Sequence, residues 1–571
     1  MINREIVKLL YEVADIFELK EVEWKPRAYR KAARKIEEMK EDISEVYAKE
    51  GKGGLEDLPG VGTKIADHII EYIETGKVEK FEKLKKDAPA GISELINIRG
   101  LGPRKSKQLV EGLNIQSISD LKKGLAEHEV CELKGFGKRT EDNLEKAILQ
   151  YEKSYERMLL GKAMNLAEEI ISYLKESTDL KMIDYAGSLR RMKETIGDID
   201  VLVVSGDSKM VMDKFVKFKD VRRVESRGKT RCTVILEEGV HIDLRVVPEN
   251  SYGSALQYFT GSKDHNVALR NIALSKGYKL SEYGLFEKKS EKKVEGKKEE
   301  RIYKRLGLSF IPPELRENRG ELEAAKKDEL PELVELKDIK GDLHIHTTYS
   351  DGPDDLETIV QRAKDLNYKY IAITDHSRSQ KISGGLEIEE IKEQWDEITS
   401  ICHKCGIKVL KGAEVNILPD GSLDYPEEVL KELDLVIGAI HSNFESPKKE
   451  MTERIVTALE NKYMHVLGHP TGRQIGIREA YNVDLDTIFK KAATNNKMLE
   501  INCQPTRLDL NDTLIMQAKE YDVKFCINTD SHSSDQMEYM KYGVGQARRG
   551  WLKKKDVANT YSLKKFQKLA L

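Results

Sequence analysis

Between residues 339 and 571, short apolar runs end again and again in His, Asp or Glu: GDLHIHT, YIAITDH, KVLKGAE, LVIGAIH, MHVLGH, KMLEIN and KFCINTDSH. Helical patterns separate them. That alternation is the signature of βα units and a parallel sheet. If the units close into a barrel, the strand C-termini gather at one face, and their side chains gather with them. His344 and His346 are spaced by two, as are Asp530 and His532, so each pair points one way from an extended chain. His376, Glu414, His441 and His469 come from separate strand ends, and Asp351 lies in the turn after the first strand. Of the 12 His in the chain, six fall at these ends. A lone His at such a position is most often a hydrogen-bonded structural residue. Six imidazoles and three carboxylates at one mouth are another matter: they would be poorly stable without cations to neutralise and order them. Nine donors suffice for three metal ions with open positions, and mixed N/O ligation suits Zn²⁺ or Mn²⁺. Cys402-His403-Lys404-Cys405, a single CxxC late in a helical pattern, lacks the second pair a zinc site needs. Cys503 and Cys526 fall in apolar runs and belong to a core.

A second pattern occupies residues 180–250, where β-rich runs read DIDVLVVS, RCTVILEE and VHIDLRVV. Asp198 and Asp200 flank Ile199, so period two sets both carboxylates on one face and Ile199 in the core. Asp243 lies in the third run. Three carboxylates on neighbouring strands make an oxygen-rich site suited to two Mg²⁺ ions, which can activate a primer 3′-hydroxyl and stabilise leaving pyrophosphate. Just upstream, Gly187-Ser188 opens a helix, offering N–H groups and a hydroxyl to a triphosphate, and Arg190 and Arg191 add charge.

The first 150 residues are predicted helical, with Ile6, Leu9, Leu10, Val13, Ile16 and Phe17 on one face. A degenerate repeat punctuates them. Gly60-Val61-Gly62, Gly100-Leu101-Gly102 and Gly135-Phe136-Gly137 each precede an amphipathic helix. The glycines allow a tight turn and close backbone approach, and the apolar residue anchors it. Exposed N–H groups and a helix N-terminus then face an anion. Lys64, Arg104, Lys105, Lys138 and Arg139 follow, within reach of phosphate. This resembles the helix-hairpin-helix motif, which grips a DNA backbone without reading bases.

At roughly 150 residues per domain, 571 residues make three to five domains. Lys+Arg total 96 and Asp+Glu 99, a net charge of −3, which excludes a uniformly basic coat for nucleic acid. Six Cys exclude a disulfide scaffold and fit a reducing compartment. The start, MINREIVKLL, has no secretory apolar core, and no apolar run is long enough to span a membrane. The expectation is a cytoplasmic monomer with no membrane partner, and its Lys/Glu richness leans towards a thermophile.

Gly-Ser, Asp-x-Asp and a third strand Asp together resemble the nucleotidyltransferase superfamily. Tyr258-Phe259-Thr260-Gly261-Ser262, with Asn266 and Arg270 following, narrows the resemblance to the family X DNA polymerases. It implies an α+β palm and a nucleotide-binding subdomain behind helical DNA-binding domains. Ser188 and Arg191 would then hold the triphosphate, and Asp198, Asp200 and Asp243 the metals. Tyr258 and Phe259 would line the incoming sugar, with Gly261 and Ser262 beside them; Asn266 would meet the nucleotide and Arg270 the template-side minor groove. In that family a Lys of the first hairpin helix forms a Schiff base with an abasic sugar, but LPGVGTKIADHI carries His68 there. Imidazole cannot form a stable protonated imine, so weak or absent 5′-deoxyribose-phosphate lyase activity is expected.

The run of HxH, TDH, E, H, GHP and DxH motifs resembles the PHP metallohydrolase domain, a distorted barrel of seven βα units. The resemblance implies one metal on His344, His346, Glu414 and Asp530. A second, bridged by Glu414, would sit on His441 and His469, and a third on Asp351, His376 and His532. Arg473, just after GHPTG, is either a phosphate contact or a surface residue.

The expected domains are 1–88 (lyase-like), 89–150 (helix-hairpin-helix), 151–250 (palm), 251–318 (nucleotide selection), a charged linker 319–338, and the barrel 339–571. The mixed-charge run 287–301 is expected as a loop or hairpin tip. The implied function is gap-filling repair synthesis on gapped or nicked DNA from dNTPs. The barrel would add 3′→5′ exonuclease and abasic-site cleavage. A structural barrel, a barrel acting as a phosphomonoesterase, and a non-catalytic DNA-binding scaffold remain alternatives.

Overall fold

A computed structural model of the chain describes residues 2–19, 22, 24–37, 39, 43–75, 77–81, 95, 98, 101–115, 117–155, 157–237 and 239–570. They divide into two compact units, 1–155 and 156–571.

The first unit is helical, as expected. Leu9, Leu10, Val13 and Phe17 of helix Ile2–Leu19 pack against Ala32, Ala33 and Ile36 of helix Lys25–Glu37. A separate apolar cluster joins Leu101, Leu109, Leu121, Phe136 and Leu144.

The second unit opens with a short ribbon of β1 (Met158–Leu159) and β3 (Thr195–Ile196), then a five-stranded sheet. Its strands are β2 (Met182–Tyr185), β4 (Asp198–Val204), β5 (Val221–Arg227), β6 (Arg231–Leu236) and β7 (His241–Val246), in the order β2-β4-β7-β6-β5. β4 and β7 run parallel, with Asp200 in register with Asp243; the other pairs are antiparallel. Helix Leu160–Ser177 repeats apolar residues at three and four (Leu160, Ala163, Met164, Ala167) and buries them with Ile199, Val201, Ile242 and Leu244.

A three-stranded sheet follows, β8 (Tyr278–Ser281), β9 (Gly284–Glu287) and β10 (Lys293–Glu295), and the tip between β9 and β10 is exposed, as the mixed charge implied. The end of that run behaves otherwise. Glu299 is buried, and its carboxylate accepts from Arg316 Nη1 at 2.5 Å and Arg190 Nη2 at 2.8 Å. Arg316 is fully buried, lies over the rings of Tyr303 and Phe310, and donates its Nε to Ile311 O at 2.9 Å. The expected linker 319–338 is corrected too. It forms helix Glu321–Lys327, whose Leu322 and Ala325 enter this subdomain's core together with Leu333. Few apolar residues suffice because they share one helix face, while Glu321 is buried against His265 Nδ1 at 2.7 Å.

The last part is a parallel sheet of β11 (Gly341–Asp342), β12 (Tyr370–Ile373), β13 (Lys408–Asn416), β14 (Leu435–Ala439), β15 (Val466–Leu467), β16 (Met498–Asn502) and β17 (Lys524–Asn528), paired in chain order. Ile345 bridges to Ser531, where His346 N donates to Ser531 O at 2.8 Å, so the first strand returns to the last and the sheet nearly closes. Alternation sorts the side chains. Tyr370, Ala372, Leu410, Leu435, Val466, Met498 and Cys526 form one cluster, and Ile371, Ile373, Val409, Leu499, Ile501, Phe525 and Cys503 join another with the outer helices. Cys402 lies in helix Ile388–Cys405, and the side chains of 403–405 fall outside the described residues. No described helix is long and apolar enough to cross a membrane.

Removing the charge of Glu299 leaves a buried guanidinium without its counter-ion, so Glu299→Gln should cost about 3–5 kcal/mol in a denaturant titration. Burial alone would raise the Glu299 carboxyl, but Arg316 and Arg190 outweigh it and hold it down at about 2, against 4.5 for an ordinary Glu. The stabilisation is therefore complete above pH 4.5 and is lost as pH falls towards 2. The wild-type advantage over Glu299→Gln should shrink across that window.

Candidate functional site

Two sites stand in the second unit. In the palm, Asp198, Asp200 and Asp243 share one face of β4 and β7, with Ile199 turned into the core. Burial, followed by the charges of Asp198 and Asp243, pushes the Asp200 carboxyl up to about 7, so the three acids converge closely enough to repel. Thr233 donates to Asp243 Oδ1, and Arg231 lies 3.1 Å from its Oδ2. A cleft of about 570 Å³ opens beside them, lined by Asp198, Glu225, Arg231, Thr233, His241 and Asp243.

Gly187 closes on this cluster. Its φ is +63°, and a Cβ there would lie 2.4 Å from Asp200 Oδ2, so only glycine fits. The next residue, Ser188, holds a buried hydroxyl without a hydrogen-bond partner among the described residues. Arg191 donates its Nε to Glu317 at 3.0 Å and its Nη1 to Thr260 O. Tyr258 and Phe259 meet edge to face, 5.2 Å between centroids, and Arg245 stacks on Phe259 at 4.4 Å. Gly261 has φ +70° and leaves room for Arg191 Nη1; Ser262 caps helix Lys263–Ser275 by accepting from His265 N. Asn266 is held between Tyr258 O and Gln257 Nε2, each at 2.7 Å, and Arg270 is half-buried further along the same helix.

At the C-terminal ends of the barrel strands the nine donors meet. His344 Nε2 lies 3.6 Å and His346 Nε2 3.3 Å from Asp530 Oδ1. Glu414 takes His469 Nε2 at 2.8 Å, His441 Nε2 at 3.2 Å and His376 Nδ1 at 2.7 Å. Asp351 faces His376 Nε2 at 3.6 Å and His532 Nε2 at 3.4 Å. Two ligands about 2.1 Å from one tetrahedral ion stand about 3.4 Å apart, which is this spacing. The groups that can share an ion are His344–His346–Asp530, His376–Glu414–His441 and His346–Asp351–His376–His532. Burial would raise Glu414 and Asp530, but the imidazoles, His441 and His376 around Glu414 and His344 around Asp530, hold both well down. They are in the ionised form that ligands need. His344 Nε2, both nitrogens of His346 and His469 Nδ1 are buried without a hydrogen-bond partner among the described residues, a donor set that fits cations. His469 (φ +26°) and Asp530 (φ +52°) also adopt left-handed backbone, rare away from glycine and held by the surrounding structure.

Sequence reading missed the layer behind these ligands. Glu500 is fully buried, accepts from His344 Nδ1 at 2.8 Å and from His469 N at 2.8 Å, and so turns His344 Nε2 to the cluster. Asn416 Oδ1 does the same for His441 Nδ1 at 2.5 Å. Both sit two residues from another inward group, Glu414 or Asn502, so period two was the available signal. Asp375, in TDH, turns away and accepts from Thr347, Ser350 and Gln394. Arg473, read as either a phosphate contact or a surface residue, is half-buried, pairs with Glu194 at 2.7 Å and donates to Leu508 O.

In the first unit, Leu58–Val61, Ile98–Leu101 and Leu133–Phe136 close the same turn, each with an N–H···O bond of 2.9 Å, and Val61, Leu101 and Phe136 are buried. Gly60 and Gly135 have φ of +91° and +92°, and a Cβ on Gly62, Gly102 or Gly137 would meet nothing, so the backbone there is open to close approach. Lys64, Lys138 and Arg139 are exposed beside these turns; Lys105 lies over the Phe136 ring. Gly100 and the Arg104 side chain lie outside the described residues. His68 Nδ1 meets Tyr29 Oη at 3.0 Å, its ring lies 4.6 Å from that of Phe81, and burial, then Lys80, push its pKa down.

Because Glu500 orients His344 without touching the cluster, Glu500→Gln should lower Zn²⁺ or Mn²⁺ affinity by about 10–100-fold in a calorimetric titration, with the circular dichroism spectrum unchanged.

Family models match along the chain: a helix-hairpin-helix domain over 1–78, a SAM-like helix-hairpin-helix tandem over 92–148, the DNA polymerase beta thumb over 255–317 and the PHP domain over 342–504. The chain is 38% identical, over 99% of its length and 98% of the relative's, to the DNA polymerase/3′-5′ exonuclease PolX of Bacillus subtilis (strain 168). It is 27% identical over half its length, and 54% of the relative's, to DNA polymerase lambda of Arabidopsis thaliana. Another 31% identity, over 34% of the chain and 79% of the relative, is to a probable phosphatase of Thermoanaerobacter sp. (strain X514). With the helical hairpins, the palm and its three acids, and the histidine-lined barrel all in order along one chain, this protein belongs to the PolX-type family X DNA polymerases with a C-terminal PHP domain.

Proposed function

We propose that the chain fills short gaps in DNA during repair and trims 3′ ends with its barrel. The observation that carries this reading is that three carboxylates share one face of the palm and nine donors gather in the barrel, eight of them in three groups that could each hold an ion and His469 on Glu414. On this reading Asp198, Asp200 and Asp243 hold two Mg²⁺ ions. Gly187 and Ser188 bind the triphosphate through backbone N–H groups and the unpartnered hydroxyl, and Arg191 adds a positive charge. Tyr258, Phe259, Gly261, Ser262 and Asn266 form the nucleotide pocket. Gly60, Gly62, Lys64, Gly100, Gly102, Gly135, Gly137 and Arg270 meet the DNA. The reaction is in-line attack of a 3′-hydroxyl on the α-phosphate of a dNTP.

In the barrel, His344, His346 and Asp530 with Glu414 would hold one ion, Glu414 with His441 and His469 a second, and Asp351, His376 and His532 a third. His376 and His346 lie close enough to be shared. Zn²⁺ and Mn²⁺ both suit the donors. When bound, divalent cations supply Lewis acidity and lower the pKa of water at both centres. The chain's own residues orient the ligands (Glu500, Asn416) and exclude bulk water from them. Abasic-site cleavage here would offset the missing lyase lysine. The match to phosphatases supports a second reading, a phosphomonoesterase; comparing a free phosphate ester with single-stranded DNA separates the two.

On a gapped duplex with dNTPs, Asp200→Ala should abolish extension and leave 3′ trimming intact, and His344→Ala should do the reverse. Loss of both activities from either change in a folded protein would refute two separate centres. His68 offers no amine, and Lys64, the lysine of helix Thr63–Thr75, is read as a DNA contact, so borohydride should trap no adduct on that helix with an abasic 5′ end. A covalent adduct there would overturn that reading.

A further inference from the structure

One helix of the barrel is built into the palm. In helix Met540–Arg549, the residues Tyr542, Gly545, Gln546 and Arg549 recur at three, four and seven and share a face. Tyr542 is buried within the palm's apolar cluster. A Cβ on Gly545 would lie 2.6 Å from the Met192 side chain, so the glycine admits the turn that follows Arg191. Gln546 Nε2 donates to Met192 O at 2.8 Å, and Arg549 Nη1 to Arg191 O at 2.7 Å. Met192 itself has φ +55°, a conformation such contacts must hold.

Arg549 also grips the side chain beyond. Its Nη1 lies 2.9 Å from Glu317 Oε1, the same oxygen that accepts Arg191 Nε at 3.0 Å, and its Nη2 donates to Asp512 at 2.6 Å. Only 1% of the Arg549 side chain is exposed. Burial would raise Glu317, but Arg549 and Arg191 outweigh it, so the carboxylate between two guanidiniums stays charged. Arg191 is thereby fixed on two sides: Nε on Glu317, Nη1 on Thr260 O. Its Nη2 has no hydrogen-bond partner among the described residues.

We propose that Arg549 and Glu317 are positioning residues of the polymerase: the barrel, through them, aims the Arg191 guanidinium at the nucleotide triphosphate. The relay rests on the reading of Arg191 as a triphosphate contact. A planar, five-donor guanidinium suits it, since three acceptors (Arg191 O, Glu317, Asp512) are bridged at once.

The test is single-nucleotide incorporation on a gapped duplex by the full chain, comparing Arg549→Met, Arg549→Lys, Arg191→Met and the double variant Arg191→Met/Arg549→Met. Arg549→Met should raise the dNTP KM by about tenfold with kcat little changed, and Arg549→Lys should recover part of it. The double variant should match Arg191→Met alone, because Arg549 acts through Arg191. Barrel 3′ trimming should stay within about twofold of wild type, reporting the fold. An unchanged KM in Arg549→Met, or effects that multiply in the double variant, would overturn the relay. An unchanged KM in Arg191→Met would overturn the reading of Arg191 itself, and the relay with it. If Arg549→Met loses both activities, Glu317→Gln carries the same expectation and the same refutation.

Discussion

Glu414 is almost fully buried, and five imidazoles face its two oxygens, from His376 at 2.7 Å to His346 at 3.7 Å. A carboxylate in that position costs several kcal/mol unless paired. Neutral rings cannot all donate to it, and charged rings would repel one another. Cations between the rings and the carboxylates would resolve the conflict, and the barrel is arranged to allow it. β13 is the longest barrel strand and carries Glu414 to the depth where the neighbouring strand ends arrive. Near closure of the sheet brings His344 and His346, just after the first strand, against Asp530 after the last. The unpartnered imidazole nitrogens are the residue of that geometry.

The palm solves a similar problem with oxygen alone. Asp200 faces Asp243 in register and Asp198 along its own strand, and burial, then the charges of those two acids, pushes Asp200 up to about 7. Hard cations are the natural relief for three carboxylates. The two centres differ in donor chemistry, which permits different metals. They are not independent bodies: Tyr542, Gln546 and Arg549 of the barrel join the palm's core and the turn at Arg191 and Met192.

Much of this was legible in the sequence because the candidate ligands obey strand period. His344/His346, Asp198/Asp200 and Asp530/His532 each declare a shared face by spacing alone. Repetition did the same for the hairpins, whose three turns close with one hydrogen-bond pattern. What stayed hidden were polar residues whose partners are distant in sequence. Glu500 looks like one more strand residue until His344 is found 2.8 Å away. Glu299 lay inside a lysine-rich run that suggested solvent, yet it neutralises the buried Arg316. Arg473 followed GHPTG and suggested a phosphate, yet it pairs with Glu194, which stands just before β3, far earlier in the chain. The segment 319–338 seemed too charged to pack, and Glu321 packs because a buried histidine needs it.

Anomalous diffraction at the manganese edge, from crystals soaked in Mn²⁺ with a gapped duplex and a non-reactive dNTP analogue, tests the two-centre account most directly. Separate peaks should stand within about 2.3 Å of the Asp200 and Asp243 oxygens and of the His344, His346 and Asp530 donors. Density at only one centre, or ions held elsewhere with the barrel imidazoles bare, would contradict it.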